Sequence, residues 1–438
     1  MRIIHYFLGF PPYRSGGLTK FAFDIMKAQV KDGNNVIGLW PGKIKSFTAP
    51  PYIKENKTLE GIRDLELINP LPVPLDEGIS NFEAFTKSCD INIYIRFLEK
   101  ENPDVIHIHT LMGIHKEFVK AANQLNIRTV MTSHDYFGFC PKVTLYRFGE
   151  CCDNDLGCIN CIQCNINSLS LKKIQLMQSH LYRFVKNVSI VKKLRKKHRE
   201  HFFGEATLPE MPNIDVKEAA KKYRSLRAYY VGIYESIDFI HFNSTVSEKI
   251  YKRYMVPKNS AVISITHSDI MDHRNNGHID SEKTRIYCLA PAKPFKGWNI
   301  LKETCDQLCN EGMNIELYVY GPVSESSDYM IVHENGYKYI ELTNMMKNAD
   351  VVIAPSICYE TFGFTVLEAM SYGVPVIVSD HMGVKDIVGE SGIIVKAGSV
   401  SELKRAIRDI NKYRTINSVK LWDYFVKEIY NLYSEDYG

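Results

Sequence analysis

Residues 349–395 read ADVVIAPSICYETFGFTVLEAMSYGVPVIVSDHMGVKDIVGESGIIV, and this stretch decides the architecture of the second half of the chain. The apolar run ending at Ser356 has the composition of a buried strand, Phe364–Tyr372 has helical spacing up to Gly373, and VPVIVSD (374–380) begins another strand. Strand, loop, helix and strand in that order make a crossover unit of a parallel sheet. The loop offers Glu360, Thr361, Phe362 and Gly363, and Glu368 follows about one turn inside the helix that opens at Phe364. Amides at a helix tip and the positive end of its dipole favour an anionic phosphate. Gly363 permits close backbone approach.

The same alternation continues in both directions. Downstream of a polar linker, HRNNGHIDSEKT (273–284), come the strand RIYCLAP (285–291), a helix from Trp298 and the strand NIELYVYG (314–321). Upstream lie RIIHYFL (2–8), a Gly-Gly loop, a helix over Leu18–Val30, NNVIGLW (34–40), a helix ending before Asn102, DVIHIHT (104–110) and IRTVMTSHD (127–135). IDFIHFNST (237–245) and AVISITH (261–267) complete the set of strands expected there. A chain of 438 residues is too long for one ordinary core. The expected fold class is therefore α/β, with two Rossmann-like, doubly wound parallel-sheet lobes, 1–275 and 285–415, and a cleft between them. An aromatic-rich helical segment, 416–438, is expected to cross back to the first lobe.

Composition narrows the function classes. With 45% hydrophobic and 24% charged residues the chain is globular, not disordered. No run approaches the roughly 18 apolar residues of a membrane span, and MRIIHYFLGFPPY breaks at Pro11 and Pro12, so a strand and not an export signal is expected, with a cytoplasmic location. A net charge of +4 is too small to imply nucleic-acid binding.

The quoted segment, with its two acids around TFGFTVL and the following EAMSYGVPV, resembles the signature region of the retaining glycosyltransferases of family 4, which have the GT-B fold. PFKGWNIL (294–301) resembles that family's Lys-Gly element, which implies that Lys296 meets the donor diphosphate. Many members carry an arginine just upstream, where this chain has Pro291. Lys293 is the available substitute, although a lysine lacks the bidentate fork of arginine. PPYRSGGLTKFAFDI (11–25) resembles the family's glycine-rich loop, with Gly16 and Gly17 close to substrate, and TSHDYF (132–137) places His134 where the family's donor-sugar histidine stands. The resemblance implies catalytic roles for His134, Glu360 and Lys296. It implies donor contacts from Gly16, Gly17, Lys293, Lys296, Glu360, Thr361, Phe362, Gly363, Phe364 and Glu368. The implied reaction transfers a hexose-type sugar from a nucleotide-diphosphate sugar to a glycan or lipid-linked acceptor, as in surface polysaccharide assembly. No acidic DxD-like cluster lies in the matching motifs, so no cofactor is expected for catalysis. His107 and His109 alternate with apolar residues and share one sheet face, as packing or supporting groups.

Two segments fall outside the resemblance. CPKVTLYRFGECCDNDLGCINCIQC (140–164) carries six of the 11 cysteines, and its C-x2-C spacing fits a structural zinc held by Cys140, Cys152, Cys158 and Cys161; free thiols or sporadic disulfides are the other reading. The stretch from about 170 to 203 is strongly basic. It reads either as a solvated face or as an interfacial helix on an anionic inner-membrane surface near a lipid-linked acceptor. Two other readings remain: a nucleic-acid binder using the cysteine knot and the basic stretch, and an inactive sugar-nucleotide-binding subunit, motivated by Pro291.

Overall fold

The computed structural model describes residues 1–186, 188–189, 191, 193, 209–274, 279, 281–410 and 419–434. The first sheet has eight strands: β1 Arg2–Tyr6, β2 Asn35–Pro41, β3 Tyr52–Glu55, β4 Arg63–Ile68, β5 Val105–Ile108, β6 Arg128–Thr132, β9 Phe239–Phe242 and β10 Ser260–Val262. Their order is β10-β9-β6-β5-β1-β2-β4-β3, parallel throughout except where β3 pairs antiparallel with β4 at the edge. A two-stranded ribbon, β7 Tyr146–Arg147 and β8 Glu150–Cys151, lies in the cysteine-rich insertion. The second sheet is all parallel: β11 Thr284–Cys288, β12 Ile315–Val319, β13 Met330–Val332, β14 Val351–Ala354, β15 Val376–Ser379 and β16 Gly392–Val395, in the order β13-β12-β11-β14-β15-β16. In both sheets the order reverses beside the first strand of the lobe. That reversal opens a crevice at the carboxyl ends of the strands, where such sheets bind ligands.

Central strands buried on both faces read as continuous apolar runs, which is why β5, β14 and β15 were legible. AVISITH departs from expectation: only its first two residues belong to β10, and Ile263–His267 leaves the sheet and carries His267 toward the second lobe. A 19-residue helix, Val216–Tyr234, was not anticipated, although Asp215 caps it by accepting from the amides of Lys217 and Glu218. It packs Tyr223, Tyr230 and Tyr234 against the insertion and the first sheet.

The helix Trp422–Tyr433 packs on the first lobe. It buries Phe425, Ile429 and Leu432 completely, each worth about 2–3 kcal/mol in hydrophobic transfer. These side chains join a core cluster that includes Ile3, Phe21 and Val105 of one lobe and Val352, Val366 and Val378 of the other, so a single apolar seam joins the two sheets. Much of the basic stretch, including Lys192 and Arg195–Lys197, lies outside the described residues. Where it is described it is not simply a solvated face: Arg183 pairs with buried Glu66 at 2.7 Å and lies over the Tyr13 and Trp40 rings, and Lys186 donates to the carbonyls of Pro12 and Tyr13.

Candidate functional site

Both lobes contribute to a cavity of about 460 Å³ lined by Gly17, His134, Asp135, Asn243, Pro291, Lys296 and the run Cys358–Thr365, among others. Its second-lobe wall is built from two turns pinned together. The 3-10 turn Pro294–Lys296 ends at Gly297, whose φ of +79° is a left-handed conformation; a Cβ there would stand 1.9 Å from the Pro355 carbonyl oxygen. The Phe295 carbonyl accepts from the amides of Ile357 and Cys358, both at 3.0 Å. This clamp brings Lys296 Nζ to 2.9 Å from Glu360 Oε2. Burial works against the ammonium, but Glu360 outweighs it and the Lys296 pKa is held above its ordinary value. Lys296 is therefore a fixed cation at neutral pH.

Beyond Glu360 the chain turns at Gly363, with φ +136°, and enters the helix Phe364–Ser371. Gly363, Phe364 and Thr365, at the helix end whose first-turn amides lack partners inside the helix, line the cavity. Phe362 is buried in the wall beneath them. Glu368 stands outside the cavity lining, its Oε1 3.3 Å from Nε2 of the fully buried His267. The Asp269 amide donates to His267 Nδ1, which leaves Nε2 as the ring nitrogen facing Glu368.

On the first-lobe side, Gly16 caps the helix Gly17–Lys31, and Gly17 itself, not Gly16, lines the cavity. A Cβ at Gly17 would approach the Phe364 ring to 3.2 Å, so this helix start faces that of the second lobe. His134 follows the end of β6, and burial drives its pKa down to about 3, which makes it a neutral imidazole. Asp135 beside it was passed over in the sequence. It accepts from the Phe137 amide and from Thr110 Oγ1, and burial raises its pKa to about 6. Nothing in its spacing separates it from the acids of any loop, and only the strand end makes it notable. Lys293 stands over the Phe295 ring and outside the cavity lining.

The lobes are latched directly. Ser244 Oγ donates to the Thr361 carbonyl at 2.6 Å, Thr245 donates from its amide and hydroxyl to Asp386, and Thr361 Oγ1 donates to the His134 carbonyl. The cysteine-rich insertion also reaches across: Cys151 Sγ meets the Ile357 carbonyl, and Tyr359 and Arg253 share Asp153. Within it, Cys158 and Cys161 stand together with Asp155, their ligand atoms within 4.8 Å of one another; Cys140 and Cys152 are not part of that group. Asp155 is already engaged by Arg227.

Over its full length the chain aligns with a glycosyltransferase of Rickettsia africae, covering 99% of this chain and 98% of that one with a TM-score of 0.56 at 13% identity. The fold is GT-B. The Anabaena protein HepE in complex with UDP shares it, with a TM-score of 0.51 at 14% identity over 94% of this chain and 90% of that one. Residues 283–412, the second GT-B lobe, match the family model Glycosyl transferases group 1. An uncharacterized glycosyltransferase of Methanocaldococcus jannaschii is 24% identical over 242 residues, 47% of this chain, and the chain spans 61% of that relative's length.

Proposed function

We propose that this chain is a retaining glycosyltransferase that moves a hexose-type sugar from a nucleoside-diphosphate sugar to an acceptor hydroxyl in the cleft. The observation that supports it is the gathering of a helix tip, the Lys296–Glu360 pair and neutral His134 around one cavity. In this reading the diphosphate lies on the amides of Gly363–Thr365 with Lys296 against it, the ribose reaches Glu368, and Glu360 and His134 hold the sugar. The UDP held by the Anabaena protein and the group 1 match of the second lobe support the donor class. The acceptor oxygen bonds to the anomeric carbon on the face that the phosphate leaves, and its proton passes to the departing phosphate oxygen. Lys296 and the amides stabilise the charge that develops there. A nucleic-acid reading leaves this constellation without a purpose.

Transfer assays with a panel of UDP-, GDP- and ADP-sugars, read for nucleotide release and product anomer, test the proposal. An axial donor yielding an axial product is expected; inverted product overturns retention, and no turnover with binding intact points to a donor-binding subunit. Turnover is expected to persist in EDTA, and loss restored by Mg²⁺ or Mn²⁺ overturns that expectation. The insertion is proposed as a zinc staple centred on Cys158 and Cys161, checked by metal analysis of the purified protein. A surface role beside an anionic membrane, in assembly of a lipid-linked glycan, is proposed from the exposed Leu181, Phe184 and Val188 next to Lys172 and Lys173. Among the described residues no helix is long and apolar enough to cross a membrane. Salt-sensitive sedimentation with acidic vesicles checks the surface role.

A further inference from the structure

Behind His134 the first lobe holds four more histidines, all fully buried: His5, His107, His109 and His241. His5, His107 and His109 have ligand atoms within 4.8 Å of one another, the arrangement of a metal site. Every ring nitrogen of those three is nevertheless taken by a hydrogen bond. His5 meets Gln29 Oε1 at 2.7 Å and His109 Nε2 at 3.0 Å; His107 meets Tyr433 OH and Thr132 Oγ1, both at 2.8 Å; His109 Nδ1 meets His134 Nε2 at 3.3 Å. The set is a continuous hydrogen-bonded file and leaves no lone pair for a cation.

One end of that file fixes the direction of every proton in it. His241 Nε2 lies 2.7 Å from the Ile263 carbonyl, which only accepts, so the proton sits on Nε2 and Nδ1 is an acceptor. Thr132 Oγ1, 3.0 Å away, must then donate to His241 and accept from His107 Nε2. His107 Nδ1 accepts from Tyr433 OH, whose oxygen accepts from the Gln29 amide nitrogen at 2.9 Å. The Gln29 carbonyl therefore faces His5, which donates from Nε2 and accepts on Nδ1 from His109 Nε2. His109 Nδ1 is left as the acceptor for His134 Nε2. Each neutral imidazole has one donor and one acceptor nitrogen, so a single choice propagates through all five rings. Burial lowers the pKa of His5 to about 4 and of His241 to about 4, and depresses His107 and His109 as well, which keeps the rings neutral.

We infer that this file is a tautomer lock: the Ile263 carbonyl, acting through His241, Thr132, His107, Tyr433, Gln29, His5 and His109, holds His134 as the Nε2–H form and leaves its Nδ1 lone pair for the cavity. His134 then accepts a hydrogen bond from a ligand hydroxyl and cannot donate one. The partner it selects is a sugar hydroxyl, not a phosphate or carbonyl oxygen. That last step rests on the proposed sugar transfer, whereas the lock itself does not. Thr132, Tyr433 and Gln29 are positioning residues, since none lines the cavity. The opposite polarity satisfies every link except the last, where a ring lone pair would face a carbonyl oxygen.

The experiment is long-range ¹H–¹⁵N correlation spectroscopy on the full chain labelled with ¹⁵N-histidine, with His134 assigned by loss of its signals in His134→Asn. The expected result is His134 protonated on Nε2 in more than about tenfold excess. In Thr132→Val, which keeps the side-chain shape and removes the hydroxyl link, both tautomers are expected within about threefold of each other. Thr132→Ser is expected to restore the excess. Tyr433→Phe breaks the file at a second point and serves if Thr132→Val does not fold. A His134 protonated on Nδ1 in the unaltered chain, or a tautomer ratio unmoved by both variants, overturns the inference. Because the readout is the ring nitrogen and not turnover, an absence of sugar transfer leaves it intact.

Discussion

Ser244 of the first lobe donates its hydroxyl to the backbone carbonyl of Thr361 in the second at 2.6 Å, a bond that ties the Glu360–Gly363 loop to the opposite wall of its own cleft. Beside it, Asp386 accepts both bonds from Thr245. These contacts are polar and lie beside the apolar seam that joins the two sheets, so they are one part of what holds the lobes together. Ser244→Ala combined with Asp386→Ala is expected to leave each lobe folded and to enlarge the radius of gyration of the ligand-free protein in small-angle X-ray scattering. An unchanged radius counts against the latch.

Lys296→Met is expected to lower kcat by about 10²–10³-fold while changing Tm little, because in the proposed reaction it removes the cation beside the departing phosphate. The pair with Glu360 raises the Lys296 pKa, so its contribution to stability is complete below the ordinary lysine value and is lost only as pH climbs through the higher folded value. A kcat/KM profile from pH 6 to 9 should accordingly show no limb from this residue.

Asp135 titrates in the opposite sense to a paired acid. Its folded pKa of about 6 exceeds the unfolded value, so the folded state binds the extra proton and stability falls as pH rises from about 4 to 6. Urea unfolding of the unaltered chain and of Asp135→Asn across this range should differ by a slope amounting to roughly 2–3 kcal/mol. Parallel curves reject the assignment.

Gly297→Ala tests the clamp. With φ at +79° and the Pro355 carbonyl in the way, the substitution should cost more than about 2 kcal/mol in thermal or urea unfolding. It should also weaken donor binding, because the turn that aims Lys296 cannot close on the Pro355–Cys358 segment.

Glu368→Gln is expected to raise the donor KM about 10-fold with kcat nearly unchanged, as loss of uniform binding does. A fall in kcat at unchanged KM contradicts the ribose role.

The fold was legible wherever burial on both faces wrote a mostly apolar run, as in β14 and β15, and in β1 and β5 apart from Arg2, His5 and His107. It was illegible at β3, an exposed antiparallel edge strand, and at His267, where an apolar pattern continues after the strand has ended. The helix Val216–Tyr234 was not among the expected elements, although its Asp215 cap and its composition announce it. At the site, Lys296, Glu360 and Glu368 stand in local motifs within one lobe, and their roles are implied by the family resemblance of those motifs. The file behind His134 was not legible, since Gln29 and Tyr433 are brought to His5 and His107 by tertiary packing alone.

The two helix starts at Gly17 and Phe364 have an electrostatic consequence. Like poles of two dipoles meet where Gly17 stands against the Phe364 ring, so bringing the lobes together there carries an electrostatic cost that the Ser244 and Thr245 bonds offset. In the proposed reaction a diphosphate between the two starts cancels that repulsion, and the donor's own charge becomes the cement that shuts the jaws around it.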